Sequence, residues 1–403
     1  MPRTVSVVIN TYNRAQSLES TLRALRQLDP VDLEVVVVNG PSTDGTKEVL
    51  DRWDRWVKVG HCPERNLSMS RNIGIAMAAG DVVAFIDDDA YPDPAWLRHI
   101  LDGFEDPEVA GVGGPTLDHT GVTLQARYNL ADRLGNAWVS TDADAPNPTA
   151  LFNAPIIDTF LYTLGTNSAF RRDRLIEIGG FDEEYEYYLD ETDVCLRLIE
   201  RGYVITALDA GTVFHKFLPS AMRTPQRAVR DRFPVIKNRV YFGLTHGLET
   251  HSFDDLCRSL VTFLDLSRGD VVSNLHHGLL EPADLERFDA DTHTATTLGF
   301  ESWKRGHRRR PCGWFDEQAE AWLSFPSDAP LDGARLHLCL VSQEYPPNRV
   351  NGIGRLTHSL ATGFAALGHV VRVITRGDDD RVDLEDGVWV HRLVDRDHPL
   401  PPD

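Results

Sequence analysis

The sequence predicts an α/β fold: a Rossmann-like, mostly parallel sheet flanked by helices, then a helical extension, then a partial second α/β segment. Three observations carry this. Strand and helix patterns alternate through the first hundred residues, which implies parallel strands joined by crossover helices. The strand runs are short, apolar and β-branched throughout, as strands covered on both faces must be. The same alternation restarts near residue 336, after a long helical stretch.

Val5–Asn10 (VSVVIN) is the first strand, and Leu18, Leu22 and Leu25 then form the apolar stripe of a helix. Leu33–Val38 (LEVVVV) is the second strand. The loop Asn39–Thr46 opens into a helix bearing Val49, Leu50 and Trp53, with Ser42 or Thr43 as its N-cap. Trp56–Val59 is a third strand and Ser68–Ala79 a helix closed by Gly80. Asp81–Ile86 (DVVAFI) is a fourth strand, running into Asp87-Asp88-Asp89. Asp93 then caps a helix with Pro94 at its first position. Regularity fades between about 115 and 160. It resumes with Leu164–Arg171, a helix near Arg174–Ile178 closed by Gly179-Gly180, and a helix Asp190–Arg201 closed by Gly202. The strand Tyr203–Ala207 and a short apolar stretch ending at His215 follow. Residues 221–330 read as helical, and their basic run Lys304–Arg310 reads as a solvated turn. Pro326–Asp332 reads as a linker. Leu336–Val341, a glycine-rich loop, a helix Arg355–Leu367 and the strand Val370–Thr375 restart the alternation. The expected domains are therefore residues 1–220, 221–330 and 331–403.

Charge narrows the function. Among 403 residues, 41 Lys and Arg face 61 Asp and Glu, a net charge of −20. Such a surface repels phosphate backbones and anionic lipid, which excludes a general nucleic-acid binder. One phosphate ligand needs only one or two local basic groups and a divalent cation. The five cysteines (62, 195, 257, 312, 339) are scattered, without CxxC spacing, and fit a reducing compartment better than a disulfide scaffold or a zinc site. No apolar run has the length of a membrane span. The expectation is a cytoplasmic protein with no transmembrane segment, for which peripheral membrane contact stays open.

The chemistry-bearing residues gather where strands end. Asp87-Asp88-Asp89 sits at the carboxyl end of a buried strand, where open α/β sheets bind ligands. Adjacent carboxylates there suit a hard cation, Mg²⁺ or Mn²⁺, which in turn suits diphosphate oxygens. The blander reading is an acidic loop capping the next helix, but Asp93 is better placed for that. Arg71, early in its helix, has the charge and the position to pair with a phosphate, although a lone Arg there is more often a surface residue. Thr11, Tyr12, Asn13 and Arg14 follow the first strand and can present a ring and polar groups to a base. Asp190, Glu191 and Asp193 open a helix. They either complement its dipole or supply a general base for an attacking hydroxyl. His215 is either a core histidine or a neutral imidazole completing a metal site. Together these pieces describe group transfer from a nucleoside diphosphate.

The residues resemble the family 2 glycosyltransferases of GT-A fold. The matching text is VSVVINTYNR (5–14), VVVVNGPSTDGT (35–46), SRNIGIAMAAGDVVAFIDDDAYPDPAWL (70–97), GGFDEEYEYYLDETDVCLRLIERGY (179–203) and VFH (213–215), covering about residues 4–216. The resemblance implies transfer of a hexosyl group from a nucleotide-sugar, with inversion, in one in-line displacement. It implies Tyr12 and Asn39 near the base, with Thr11 and Arg14 beside them. It places Arg71 near the diphosphate, Asp87 among the nucleotide-sugar contacts, and Asp88 and Asp89 of this DXD-type motif at ribose and metal. Glu191 takes the position of the catalytic base with Asp190 and Asp193 beside it, and His215 that of a metal ligand. The cofactor implied is Mn²⁺ or Mg²⁺, and the acceptor a hydroxyl of a glycan or lipid-linked molecule, as in polysaccharide biosynthesis. Two departures matter. Asn39 stands where the family usually has an Asp that binds uracil, so a UDP-sugar is favoured with less force. Glu191 stands where an Asp is usual, so the base is Glu191 or Asp190.

Two other classes compete. A sugar nucleotidyltransferase shares the crevice and the metal but carries a glycine-rich basic loop after strand one, which TYNR lacks. A carbohydrate-binding scaffold has no use for acids at 87–89 and 190–193. Finally, RLHLCLVSQEYPP (335–347), NGIGRLTHSLATGFAALGHVVRVIT (351–375) and DGVWVHRLV (386–394) resemble the N-terminal start of a family 4 glycosyltransferase of GT-B type, with Gly352 and Gly354 in a phosphate-approaching loop. The expectation is a catalytically silent segment of a longer bifunctional protein, packed on residues 221–330 or loosely ordered.

Overall fold

In the computed structural model, residues 4–220, 222–330, 334–347 and 351–394 are described. The end of the expected linker (331–332), part of the expected glycine-rich loop (348–350) and the tail 395–403 lie outside them.

The alternation expected of the first hundred residues is present. In order come β1 (Thr4–Thr11), α1 (Ala15–Leu25), β2 (Asp32–Asn39), α2 (Thr46–Trp53), β3 (Val57–His61), α3 (Leu67–Met77) and β4 (Val82–Asp87). β4 pairs with β1, β1 with β2 and β2 with β3, all in parallel. Their branched side chains are buried alternately on two faces. Val5, Val7, Ile9, Val35 and Val37 meet Leu18, Leu22 and Leu25 of α1 on one side. Val8, Val36 and Val38 meet α3 on the other. A Cβ at Gly74 would lie 2.4 Å from Val8, so glycine there lets α3 reach the sheet.

Next come β5 (Ala90–Pro92), α4 (Trp96–Gly103), β6 (Val109–Gly113), β7 (Thr116–Leu117), β8 (Leu124–Ala126), β9 (Tyr128–Asp132), β10 (Ala137–Ser140), β11 (Thr159–Tyr162) and β12 (Ser168–Arg171). The span 115–160 is therefore only partly irregular: short strands occupy 116–140, while 141–158 holds no strand, only a short 3₁₀ turn at Thr149–Leu151. Its strands of two to five residues are too short to show a period in sequence. α5 (Arg172–Glu177), α6 (Asp190–Glu200), β13 (Val204–Ala207) and β14 (Val213–His215) complete the unit. The main sheet has the order β13-β6-β12-β4-β1-β2-β3, with β12 antiparallel to both neighbours. A smaller sheet, β5-β14-β7-β8, sits at the carboxyl end of β4.

Several expected caps differ. Asp44, not Ser42 or Thr43, serves the start of α2, accepting from the Thr46 N–H at 3.0 Å and the Ala15 N–H at 3.1 Å. α3 is capped by Asn66, which accepts from the Met69 N–H. It ends at Met77, and Gly80 packs against Ser6 instead of closing it. α4 starts at Trp96; Asp93 accepts from the Ala95 N–H just before it, so Pro94 precedes the helix. Gly179, Gly180 and Gly202 close their helices at positive φ, as expected.

α7 (Phe233–His246), α8 (Phe253–His276), α9 (Pro282–Arg305) and α10 (Cys312–Glu317) form the helical extension. Its basic run stays largely solvent-exposed, as expected, but it is also tied to distant acids. Arg310 holds Glu183 through two hydrogen bonds of 2.5 and 2.8 Å, the Arg308 N–H donates to Asp182, and Arg305 donates to Glu184. These partners lie over a hundred residues away in sequence, where no local pattern reveals them. The expected linker is also docked: the Asp328 N–H donates to the Arg26 carbonyl and Phe325 stacks on Trp53.

β15 (His337–Val341), α11 (Gly352–Ala366), β16 (Val370–Arg376), β17 (Arg381–Glu385) and β18 (Val388–Leu393) form a sheet of order β15-β16-β18-β17. β15, β16 and β18 are parallel, while the unanticipated β17 is antiparallel to β18. Gly352 and Gly354 lie in the first turn of α11, capped by Asn351, and not in a loop. This unit is ordered and docks on the first sheet unit instead of the helical extension. Arg335 pairs with Asp29 at 2.9 Å, Gln27 donates to the Gly387 carbonyl, Lys216 pairs with Asp383, and Phe214 packs on Trp389. Among the described residues no helix is long and apolar enough to cross a membrane.

Candidate active site

The site forms where β1 and β4 end. β4 ends at Asp87, and Asp88 and Asp89 lie in the turn before β5; Asp87 and Asp89 approach His215, whereas Asp88 turns to Thr11. Asp88 accepts from the Thr11 hydroxyl at 2.7 Å. The pairing of β14 with β5 sets His215 opposite Ala90, next to Asp89. Its Nε2 lies 3.5 Å from Asp87 Oδ2 and 3.4 Å from Asp89 Oδ1. The other ring nitrogen, Nδ1, lies 3.0 Å from Gln125 Oε1, an acceptor. That contact puts a proton on Nδ1 and turns Nε2 toward the two acids. Asp87, expected with the nucleotide contacts, is thus grouped with Asp89 and His215. Gln125 was not foreseen, because it lies in the span that showed no pattern.

Burial pushes the Asp87 carboxyl up, and pushes Asp88 well above the ordinary range, with Asp89 adding to both. Burial acts on Asp89 too. There it is outweighed by the hydrogen bond and charge of His215, the Leu218 N–H and Arg14, which hold it below its ordinary value. The ligand atoms of Asp87, Asp89 and His215 all lie within 4.8 Å of one another. Two carboxylates and an imidazole fit Mn²⁺ or Mg²⁺, and acids so close gain most from a cation.

Across the cavity, Tyr188 and Leu189 take φ of +77° and +67°, a strained turn that aims the start of α6 inward. Asp190 and Glu191 both meet Arg71, Glu191 Oε1 at 2.8 Å from Nη2 and Asp190 on Nη1. Arg71 is buried between the rings of Phe85 and Phe181, at 5.5 and 5.1 Å. It therefore serves the two acids instead of standing free for a diphosphate. A Cβ at Gly165 would lie 1.9 Å from Glu191 Oε1 and 2.4 Å from Arg71 Nη2, so only glycine leaves room for this arrangement. One guanidinium faces two acids. Burial and the charge of Glu191 raise Asp190 well above its ordinary value. For Glu191, burial is outweighed by Arg71 and by a hydrogen bond from Asp190, which hold it low. The shared guanidinium thus favours the charged form of Glu191 over that of Asp190.

Asp193 does not join them. Two residues beyond Glu191 is more than half a helical turn, and Asp193 faces Arg197 at 2.6 Å and His246 Nε2 at 2.9 Å. Burial raises its pKa, but those two partners hold it well below the carboxylate range. It is a structural ion pair, not a catalytic candidate.

Two adjoining cavities share Arg14 and Asp88. The larger, about 900 Å³, is lined by Thr11, Tyr12, Gly40, Pro41, Cys62 and Arg65, among others. Arg65 lies 5.0 Å over the Tyr12 ring. Asn39 does not line it: its amide oxygen accepts from the Ser42 hydroxyl behind Gly40. The smaller, about 570 Å³, holds both the Asp87–Asp89–His215 cluster and Asp190 with Glu191. Its outer wall is Tyr187, Tyr188, Phe217, Arg223, Arg232 and Phe263. Arg223 donates to the Tyr187 hydroxyl at 2.8 Å and lies 4.3 Å over the Phe217 ring. Neither Arg223 nor Arg232 stood in any motif, so sequence alone gave no reason to choose them.

Fold and site define an α/β protein whose cavity brings together two carboxylates and an imidazole able to hold a hard cation and the acid pair Asp190 and Glu191. Residues 6–179 match the family model for glycosyl transferase family 2. The glucosyl-dolichyl phosphate glucuronosyltransferase of Haloferax volcanii is 29% identical over 215 residues, covering 49% of this chain and 64% of that protein. The pre-mycofactocin glycosyltransferase of Mycobacterium tuberculosis is 31% identical over 206 residues, covering 50% of this chain and 40% of that protein. The chain thus spans less than two thirds of the length of these relatives. Among solved structures, the mannosyltransferase PcManGT from Pyrobaculum calidifontis in complex with GDP-Man and Mn²⁺ is similar at 20% identity. That match covers 74% of this chain and 84% of that one, with a TM-score of 0.47.

Proposed function

We propose that the chain is an inverting, divalent-metal-dependent glycosyltransferase. It moves a sugar from a nucleoside-diphosphate donor, UDP-sugars first, to a hydroxyl of a glycan or lipid-linked acceptor. The observation that carries this reading is the single cavity with the Asp87–Asp89–His215 cluster on one side and Glu191 on the other. Thr11, Tyr12, Arg14 and Asp88 receive the nucleoside diphosphate. Asp87, Asp89 and His215 would hold a Mn²⁺ or Mg²⁺ ion, which would supply charge neutralisation for the leaving diphosphate. Glu191 takes the proton of the acceptor hydroxyl as its oxygen bonds to the anomeric carbon and the bond from that carbon to diphosphate breaks. Arg71 holds Glu191 in place beside Asp190. The acceptor enters past Tyr188, Arg232 and Phe263 of the outer wall. We place the reaction in the cytoplasm, which the unpaired cysteines suit. Residues 334–394, with three parallel strands and one helix, we read as the opening of a second unit similar to family 4.

A thermal-shift screen of nucleoside diphosphates with and without Mn²⁺ tests this. At a hundredfold excess over Kd, binding contributes about 2.7 kcal/mol of stability. UDP or another nucleoside diphosphate is expected to raise the melting temperature by several degrees only when Mn²⁺ is present. No shift with any of them in Mn²⁺ would remove the donor assignment.

A further inference from the structure

The C-terminal unit reaches the cation centre through one side chain. Lys216 follows His215 directly and is nearly buried. Its ammonium has three donors, and all three are used: on Asp383 Oδ1 at 2.6 Å, the Val382 carbonyl at 3.0 Å and the His119 carbonyl at 3.4 Å. Asp383 and Val382 belong to β17, in the C-terminal unit. The contact is reinforced around it. The Val382 N–H donates to the Thr120 carbonyl at 2.7 Å, and Trp389 lies 4.7 Å from Phe214.

The backbone that Lys216 anchors also carries Asp89. The Lys216 N–H donates to the Asp89 carbonyl at 2.9 Å, and the Leu218 N–H donates to Asp89 Oδ2 at 2.8 Å. Between them Phe217 sits at φ +54°, a conformation that a bulky residue holds only when its surroundings fix it. The path of residues 215–218 thus orients both His215 and the carboxylate of Asp89.

We infer that Asp383 is a positioning residue for the cation centre, acting through Lys216, so that the C-terminal unit is part of the first active site's framework. This reverses the expectation that the segment is silent, and it rests on the metal-dependent reading above. Supporting residues of this kind typically change metal affinity by about 10–100-fold.

The test is Mn²⁺ affinity in the presence of UDP, read by the electron paramagnetic resonance of free Mn²⁺ on the full chain. Asp383→Asn is expected to weaken Mn²⁺ binding about tenfold, raising the KM for metal more than it lowers kcat, and Asp383→Glu to recover most of the loss. Lys216→Met should show the same loss, and the double variant no more than either single one. Arg335→Met, which breaks the Asp29 pair at the same interface away from the cation centre, should leave Mn²⁺ affinity unchanged. Wild-type affinity in both Asp383→Asn and Lys216→Met would overturn the inference, and so would equal loss in Arg335→Met, since the interface would then be only adhesive. Additive losses in the double variant would remove the route through Lys216. If the wild-type protein itself binds no Mn²⁺, the metal-dependent reading fails first, and this is visible before any variant is made.

Discussion

Glu191→Gln is expected to lower kcat by about 10²–10⁴-fold while leaving metal-dependent binding of the nucleoside diphosphate unchanged. That range is what a positioned general base contributes. Glutamine keeps the shape and can still meet Arg71, but it cannot accept the acceptor's proton. The base acts only as the bond forms, so the loss falls on turnover and not on donor binding. Burial would raise Glu191, yet Arg71 and Asp190 hold it below its ordinary value of 4.5. A group so held is ionised above its pKa and loses that form as the pH falls through it. The rate of wild type should therefore be insensitive to this group at neutral pH and fall only on the acid side of 4.5. Stopped-flow or steady-state rates with parallel calorimetry of donor binding separate the two effects. If Asp190→Asn shows the large kcat loss and Glu191→Gln does not, the base is Asp190.

Asp89→Ala is expected to cost more, because it removes a cation ligand and the acceptor that fixes the Leu218 N–H. Charge neutralisation by a bound cation supplies several kcal/mol of transition-state stabilisation, about a thousandfold or more in rate. Turnover should fall below detection in most assays, and the Mn²⁺-dependent part of nucleoside-diphosphate binding should disappear. The fold should survive, since the change relieves crowding among buried acids at a strand end. Circular dichroism and an Mn²⁺ titration check both points. Unchanged turnover would show that Asp89 holds no catalytic metal.

The parts of this site that were legible in sequence are those fixed by local pattern. VSVVIN, LEVVVV and DVVAFI announce buried parallel strands, and a strand that ends in three acids places them at the crevice without further information. The two glycine-closed helices at 179–180 and 202 were legible for the same reason. What stayed hidden depends on pairings across the chain. Arg71 looks like a phosphate ligand until Asp190 and Glu191, 119 and more residues away, are seen on its guanidinium. Asp193 looks like part of an acidic motif until His246 and Arg197 are seen around it. Gln125 sits on a three-residue strand, too short for any period. Arg223 is held by Tyr187 and Phe217 and Arg232 by Asp270 of α8, partners that their own segment does not announce. The docking of β17 on Lys216 was invisible because neither partner stands in a motif.

The central claim is metal-dependent sugar transfer with inversion, driven from one cavity. Proton nuclear magnetic resonance of the product's anomeric centre, with the donor selected by thermal shift and a simple hydroxyl acceptor, tests it most directly. The expected result is a product whose anomeric configuration is opposite to the donor's. One nucleoside diphosphate should be released per linkage, and the reaction should stop on chelation and return with Mn²⁺. Retained configuration, or transfer that proceeds unchanged in excess chelator, would contradict the account.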